Sequence, residues 1–190
     1  LVCLVVGVPL TRKKPKNKVF YIKDGCVAVA LSWLALCIFG SIPFVVSGCI
    51  PHPIDALFET VSGFTTTGSS ILSDVEVLPH CILIWRSFTH WIGGMGVLVF
   101  LLSLLPLAGG YHMNLMKAES PGPSVSKLVP KVQSTAKILY TIYFGMTLIQ
   151  LALLLIGRVP LFDSLCITFG TAGTGGFGIV NDSLGSYSTY

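Results

Sequence analysis

The sequence predicts an all-α integral membrane protein built from repeated units. Each unit is a spanning helix, a short re-entrant helix with its loop, and a second span; the last unit is incomplete. Three observations carry this. Hydrophobic residues make up 53% of the 190 residues and charged residues only 11%, against about 25% charged in a soluble domain. With a mean hydropathy of +0.81, the chain cannot coat itself with polar groups in water, which excludes ordinary soluble enzymes, disordered tails and collagen-like fibres. Three apolar runs are long enough to span, and a short helix with a Thr/Gly loop occurs twice.

Taken in order, residues 1–10 are apolar and precede a basic stretch, the reverse of a secretory signal. They read as the end of a preceding transmembrane helix. Residues 11–24 form a basic loop with Arg12, Lys13, Lys14, Lys16, Lys18 and Lys23. Residues 25–106 form the first unit, with spans at 25–47 and 79–106. A span needs about 20 apolar residues. Residues 107–135 form a polar linker with Lys117, Lys127 and Lys131, followed by Lys137. Residues 136–190 form the second unit, a span at 136–157 without its closing span. Short basic loops beside apolar runs are expected on the cytoplasmic side. Residues 47–80 hold Asp55, Glu59, Asp74 and Glu76 and no Lys or Arg, and are expected outside. A nucleic-acid or lipid-binding patch is the competing reading of the basic clusters, and topology alone already requires them. None of the six cysteines has metal-ligand spacing; Cys49 and Cys81 flank the outer segment, where pairing stays open.

Residues 53–65 and 160–171 are too short to span, each starts at or near a proline, and each runs into a Thr/Gly stretch. Shifted by 108 positions they align: Asp55 on Asp163, Leu57 on Leu165, Thr60 on Thr168, Thr66 on Thr174, Gly68 on Gly176, 5 identities in 14 pairs. Both units start on the cytoplasmic side, so the repeats are parallel in topology.

A half-helix ending inside the membrane aims its negative dipole end at a cavity, where a cation is stabilised. Non-helical backbone at that depth is tolerated only inside protein or along water. Carbonyls of Thr66-Thr67-Gly68-Ser69-Ser70 and Thr174-Gly175-Gly176-Phe177-Gly178 can then replace the hydration shell of a monovalent cation. Glycine reaches the φ values that aligned carbonyls need. Gly173, Gly175 and Gly178 also spell a dinucleotide fingerprint, but no strand precedes and no helix follows.

Arg86 lies roughly 10 Å into the second span. It is expected to pair with Glu59 or a loop carbonyl and brace the loop, or else to snorkel outward. His90, one turn further in, reads as a hydrogen-bonded bundle residue before a proton carrier. Asp55 and Asp163 belong in first turns, complementing the positive dipole end. Gly93, Gly94 and Gly96 permit close helix approach. Trp33, Trp85 and Trp91 fit interface or bundle packing. An intramembrane hydrolase using Ser62 or Ser69 with His90 is the rival from another class, without a GxSxG elbow to support it. A non-transporting helical scaffold is the third reading.

FETVSGFTTTGSS, HWIGGMGVLVF, KAESPGP and FGTAGTGGFG occur in this order. Together they resemble the Trk/Ktr/HKT superfamily of potassium transporters across nearly the whole chain, and within it the bacterial Trk type. The resemblance implies four span–pore helix–span units around one pore, each like a potassium-channel subunit. It implies potassium uptake across a bacterial inner membrane by a multi-pass pore subunit, with no enzymatic activity and no covalent cofactor. A sodium/potassium channel or a cation symporter of the same superfamily is the alternative. Selectivity-filter residues implied are Thr66, Thr67, Gly68, Ser69, Thr174, Gly175, Gly176 and Phe177, with potassium as substrate at Thr66, Thr67, Thr174 and Gly175. Asp55, Glu59, Arg86 and Asp163 would support them. Implied partners are a second copy, the lipid bilayer and a cytoplasmic nucleotide-binding regulatory subunit (TrkA-like); no nucleic acid is implied.

Overall fold

A computed structural model describes residues 22–96 and 132–187. The expected helix end at 1–10, most of the basic loop, the inner part of the second span and most of the linker lie outside the described residues. Among the described residues five α-helices follow in order: α1 Ile22–Val46, α2 Pro53–Phe64, α3 His80–Gly94, α4 Val132–Ile156 and α5 Leu161–Ala172. A short 3₁₀ turn covers Ser183–Ser186. The described residues contain no strand.

Among the described residues two helices are long and apolar enough to cross a membrane. Val27–Val46 and Ala136–Ile156 have mean hydropathies of 2.2 and 1.9, and only 17% and 11% of their apolar windows are buried. A core helix of a soluble protein hides such a surface; these expose Leu31, Leu34, Ile38, Ile149 and Leu153. The apolar surround must therefore come from lipid or from further helices. Both helices begin earlier than the apolar pattern indicates, at Ile22 rather than 25 and at Val132 rather than 136. Helix ends tolerate charge, so hydropathy places a span and not its helical limits.

The short helices start where the prolines put them. Pro53 occupies the first turn of α2, while Pro79 and Pro160 are the residues before α3 and α5. A fixed φ and a missing N–H cost nothing there. Asp55 and Asp163 stand in first turns. Asp163 also accepts a hydrogen bond from the Tyr187 hydroxyl at 3.0 Å.

Helix α3 is the wedge of the molecule, packed against both α2 and α5. Its glycines allow this. A side chain on Gly93 would strike the Phe64 carbonyl, and one on Gly94 would stand 2.7 Å from the Gly173 Cα and the Tyr143 hydroxyl. Trp85 Nε1 donates to the Gly40 carbonyl of α1 at 3.0 Å, and Trp91 Nε1 to Thr147 of α4 at 3.1 Å. Gly40 in turn admits the Phe64 ring. The outer core gathers Phe44, Ala56, Ile82, Leu83, Cys166 and Ile179 from both units. Cys49 and Cys81 are free thiols.

Candidate functional site

The residues after α2 and α5 repeat one backbone geometry at the 108-residue offset. After α2, Thr65 N–H bonds the Val61 carbonyl (2.9 Å), Thr66 N–H that of Gly63 (3.1 Å) and Thr67 N–H that of Ser62 (2.9 Å). After α5, Gly173 bonds Phe169 (3.0 Å), Thr174 bonds Thr171 (3.0 Å) and Gly175 bonds Gly170 (2.9 Å). This double closure is a Schellman motif, which requires a left-handed residue just past the helix end. Glycine usually fills that place. Here Thr66 and Thr174 do, with φ of 55° and 57°. A β-branched residue in that region is strained, by about 1–2 kcal/mol. Two residues on, Gly68 and Gly176 are left-handed again, at 76° and 85°.

The two loops touch. A Cβ on Gly68 would collide with the Gly175 carbonyl oxygen. Gly68 is therefore needed twice, for its φ and for its neighbour. Gly176 needs its φ only, since nothing described lies within 4 Å of its missing side chain. Of the other loop residues, Thr67, Ser69 and Thr174 are exposed, Thr66 is half-buried and Gly175 is buried. The Thr67 hydroxyl pairs with that of Thr65 at 2.8 Å. Phe177 is buried and faces away from the loop surface, so only its backbone is offered there.

Behind the loops stands one ion pair. Arg86 Nε meets Glu59 Oε1 at 2.6 Å, with both side chains all but fully buried. Glu59 also accepts from the Ser70 hydroxyl (2.9 Å) and the Ile71 N–H (2.9 Å), which fastens the first loop to α2. Arg86 Nη1 donates to the Gly178 carbonyl at 2.8 Å, and its Cζ lies 3.7 Å from the centre of the Phe177 ring. That fastens the second loop to α3. Both Glu59 oxygens and the Arg86 Nε and Nη1 thus have partners from outside their own helix, as a buried pair requires. In the second repeat Ile167 takes the place of Glu59, so the pair exists once and serves both loops.

His90 departs from expectation. It is fully buried, yet neither ring nitrogen has a hydrogen-bond partner. Its ring instead stacks on Phe177, with centroids 4.0 Å apart and 21° between planes. Ser62 Oγ is likewise buried without a partner, so Ser62 and His90 do not form a nucleophile–base pair. Asn181 escaped the sequence reading. Its amide joins the units outside the loops: Val75 N–H donates to Oδ1 (3.1 Å), Nδ2 donates to Asp74 (2.9 Å), and its own N–H donates to Glu76 (3.0 Å). No spacing announces a contact across more than a hundred residues. Among the described residues no cluster of three or more His, Cys, Asp or Glu is placed to hold a metal ion.

Two exposed apolar helices carrying two matched helix-and-loop elements define a helical membrane protein of tandem loop repeats. Comparison narrows the class. The sequence matches the family model described as "TrkH: Cation transport protein" over residues 1–190, and the chain belongs to this family. It is 37% identical over 169 residues to the Trk system potassium uptake protein TrkH of Halomonas elongata, covering 88% of this chain and 35% of that one. Likeness to TrkG of Escherichia coli is 34% over 170 residues, again 88% and 35%. The crystal structure of the potassium transporter TrkH from Vibrio parahaemolyticus superposes with a TM-score of 0.76 at 30% identity, over all of this chain and 38% of that one. The chain thus spans about a third of the relatives it matches.

Proposed function

We propose that this chain supplies two of the ion-selecting loops in the pore of a potassium uptake protein of the bacterial inner membrane. Potassium is the cargo. It sheds water and takes oxygen ligands from the loops at 66–70 and 174–178, with Thr66, Thr67, Thr174 and Gly175 as its seats. The observation that carries the reading is the left-handed pair recurring at 66/68 and 174/176. In an extended chain of one hand successive carbonyls point to opposite sides; alternating hands is the means of turning them to one side. Supporting it, α2 and α5 bring their negative dipole ends to the loops. Asp55 and Asp163 balance the opposite ends. Potassium as the ion follows from the names of the relatives. Carbonyl dipoles in place of hydration water are a known route to selecting it.

The same reading makes this a transport chain and not an enzyme, with no covalent cofactor. By its family resemblance it acts as a pair of copies with a cytoplasmic nucleotide-binding regulatory subunit (TrkA-like). The test is rubidium and sodium flux through the full-length protein in proteoliposomes. Wild type passes rubidium far faster than sodium, and Gly68→Asp or Gly176→Asp loses that preference. Both variants keeping the wild-type ratio would sink the reading.

A further inference from the structure

The second loop is positioned by a stack with no counterpart in the first. The residue matching Phe177 at the 108-residue offset is Ser69. The Phe177 ring carries the Arg86 guanidinium 3.7 Å from its centre and the His90 imidazole at 4.0 Å. Two planar groups cannot share one face of a single ring at those distances. They lie on opposite faces, and the ring is held in the slot between two residues one turn apart on α3. His90 also sets what the loop can be. A Cβ on Gly175 would fall onto the imidazole ring, and one on Gly173 would meet the His90 carbonyl. The Gly175 carbonyl is the oxygen that reaches across to Gly68.

A fully buried imidazole normally finds hydrogen-bond partners, because an unpaired buried polar group costs free energy. His90 has none within the described structure. Its contribution is therefore its shape, the smallest planar ring among the side chains, flat against Phe177 and thin enough to leave room for the Gly175 backbone. Arg86 is already committed to Glu59 and Gly178, so the other wall of the slot is fixed and the imidazole decides where the ring comes to rest.

We propose that His90 is a positioning residue for ion selection: through Phe177 and Gly175 it sets the position of the second loop's carbonyls without touching the ion. The proposal rests on the reading of these loops as potassium-selecting and adds the residue that tunes one of them. The experiment compares rubidium-to-sodium flux ratios for full-length wild type, His90→Leu, Phe177→Leu and the double variant in proteoliposomes, normalised to folded protein by gel filtration. Losing an aromatic stack lowers the ratio by up to about tenfold in each single variant. The double variant is no worse than the worse single one, since Phe177→Leu already removes the His90 stack along with the Arg86 contact. A wild-type ratio in His90→Leu, or fully additive losses, overturns the proposal. If His90→Leu does not fold, His90→Gln, close in size and without a ring, carries the same expectation. Wild-type protein with no preference for rubidium over sodium would instead overturn the reading of the loops.

Discussion

The Arg86 guanidinium and the Glu59 carboxylate meet at 2.6 Å behind two loops from different repeats, and each partner holds one of them. Removing one member strands the other's charge away from water, at a cost of about 3–5 kcal/mol. Glu59→Gln and Arg86→Gln should each lower the melting temperature of the purified full-length protein and lower its rubidium-to-sodium ratio. The double variant should lose less than the two singles added. Additive losses would mean that the pair does not act as a unit.

Thr66 and Thr174 predict a gain in stability together with a loss of function. Changing both to glycine relieves about 1–2 kcal/mol of left-handed strain at each site, less about 0.5–1 kcal/mol for the freer unfolded chain. The double variant should melt higher in potassium-free buffer than wild type. It should also select potassium less well, having lost two hydroxyls and the stiffness they sat on. A lower melting temperature would show that the strain has been misjudged.

Two glycines should answer the same substitution differently. Gly175→Ala drives a methyl into the His90 ring and disturbs the loop, with a loss of the 1–3 kcal/mol typical of overpacking. Gly145→Ala, in mid-α4 with nothing described within 4 Å, should keep or raise stability by up to about 1 kcal/mol. Melting curves of the two single variants decide it.

Asp74 gives a pH dependence outside the spans. Hydrogen bonds from the Asn181 side chain and the Glu76 N–H hold its pKa below the usual 3.8. A depressed carboxylate pKa stabilises the fold above the unfolded value, and that stability fades as pH falls through the folded one. Wild type should therefore lose melting temperature below about pH 4 more steeply than Asp74→Asn. Parallel curves for the two proteins over pH 3–6 would refute the link.

Much of this arrangement is legible in the chain, because membranes write strong signals. The spans at 25–47 and 136–157 follow from hydropathy, and the short helices from proline followed by an apolar run. The 108-residue offset picks out Thr66, Gly68, Thr174 and Gly176, the residues that carry the unusual backbone. Arg86 gives itself away as a charge within an apolar run, and Glu59 is the acid within its reach. What cannot be read is who faces whom across repeats. Spacing allows Arg86 to brace one loop, but not to serve both. The hydrogen-bonded histidine expected at 90 is a stacked one, since periodicity places a residue on a face without naming its neighbour. Asn181 carries no sequence signal at all.

The route from Arg86 to Gly178 also bears on how the protein is made. A ribosome delivers Glu59 and Arg86 together, while Gly178 lies 92 residues downstream of the arginine. Domains fold in order of synthesis, amino-terminal first. Both members of the ion pair thus belong to the earlier unit, and the Arg86 Nη1 donor meets its carbonyl only once the later unit has been made.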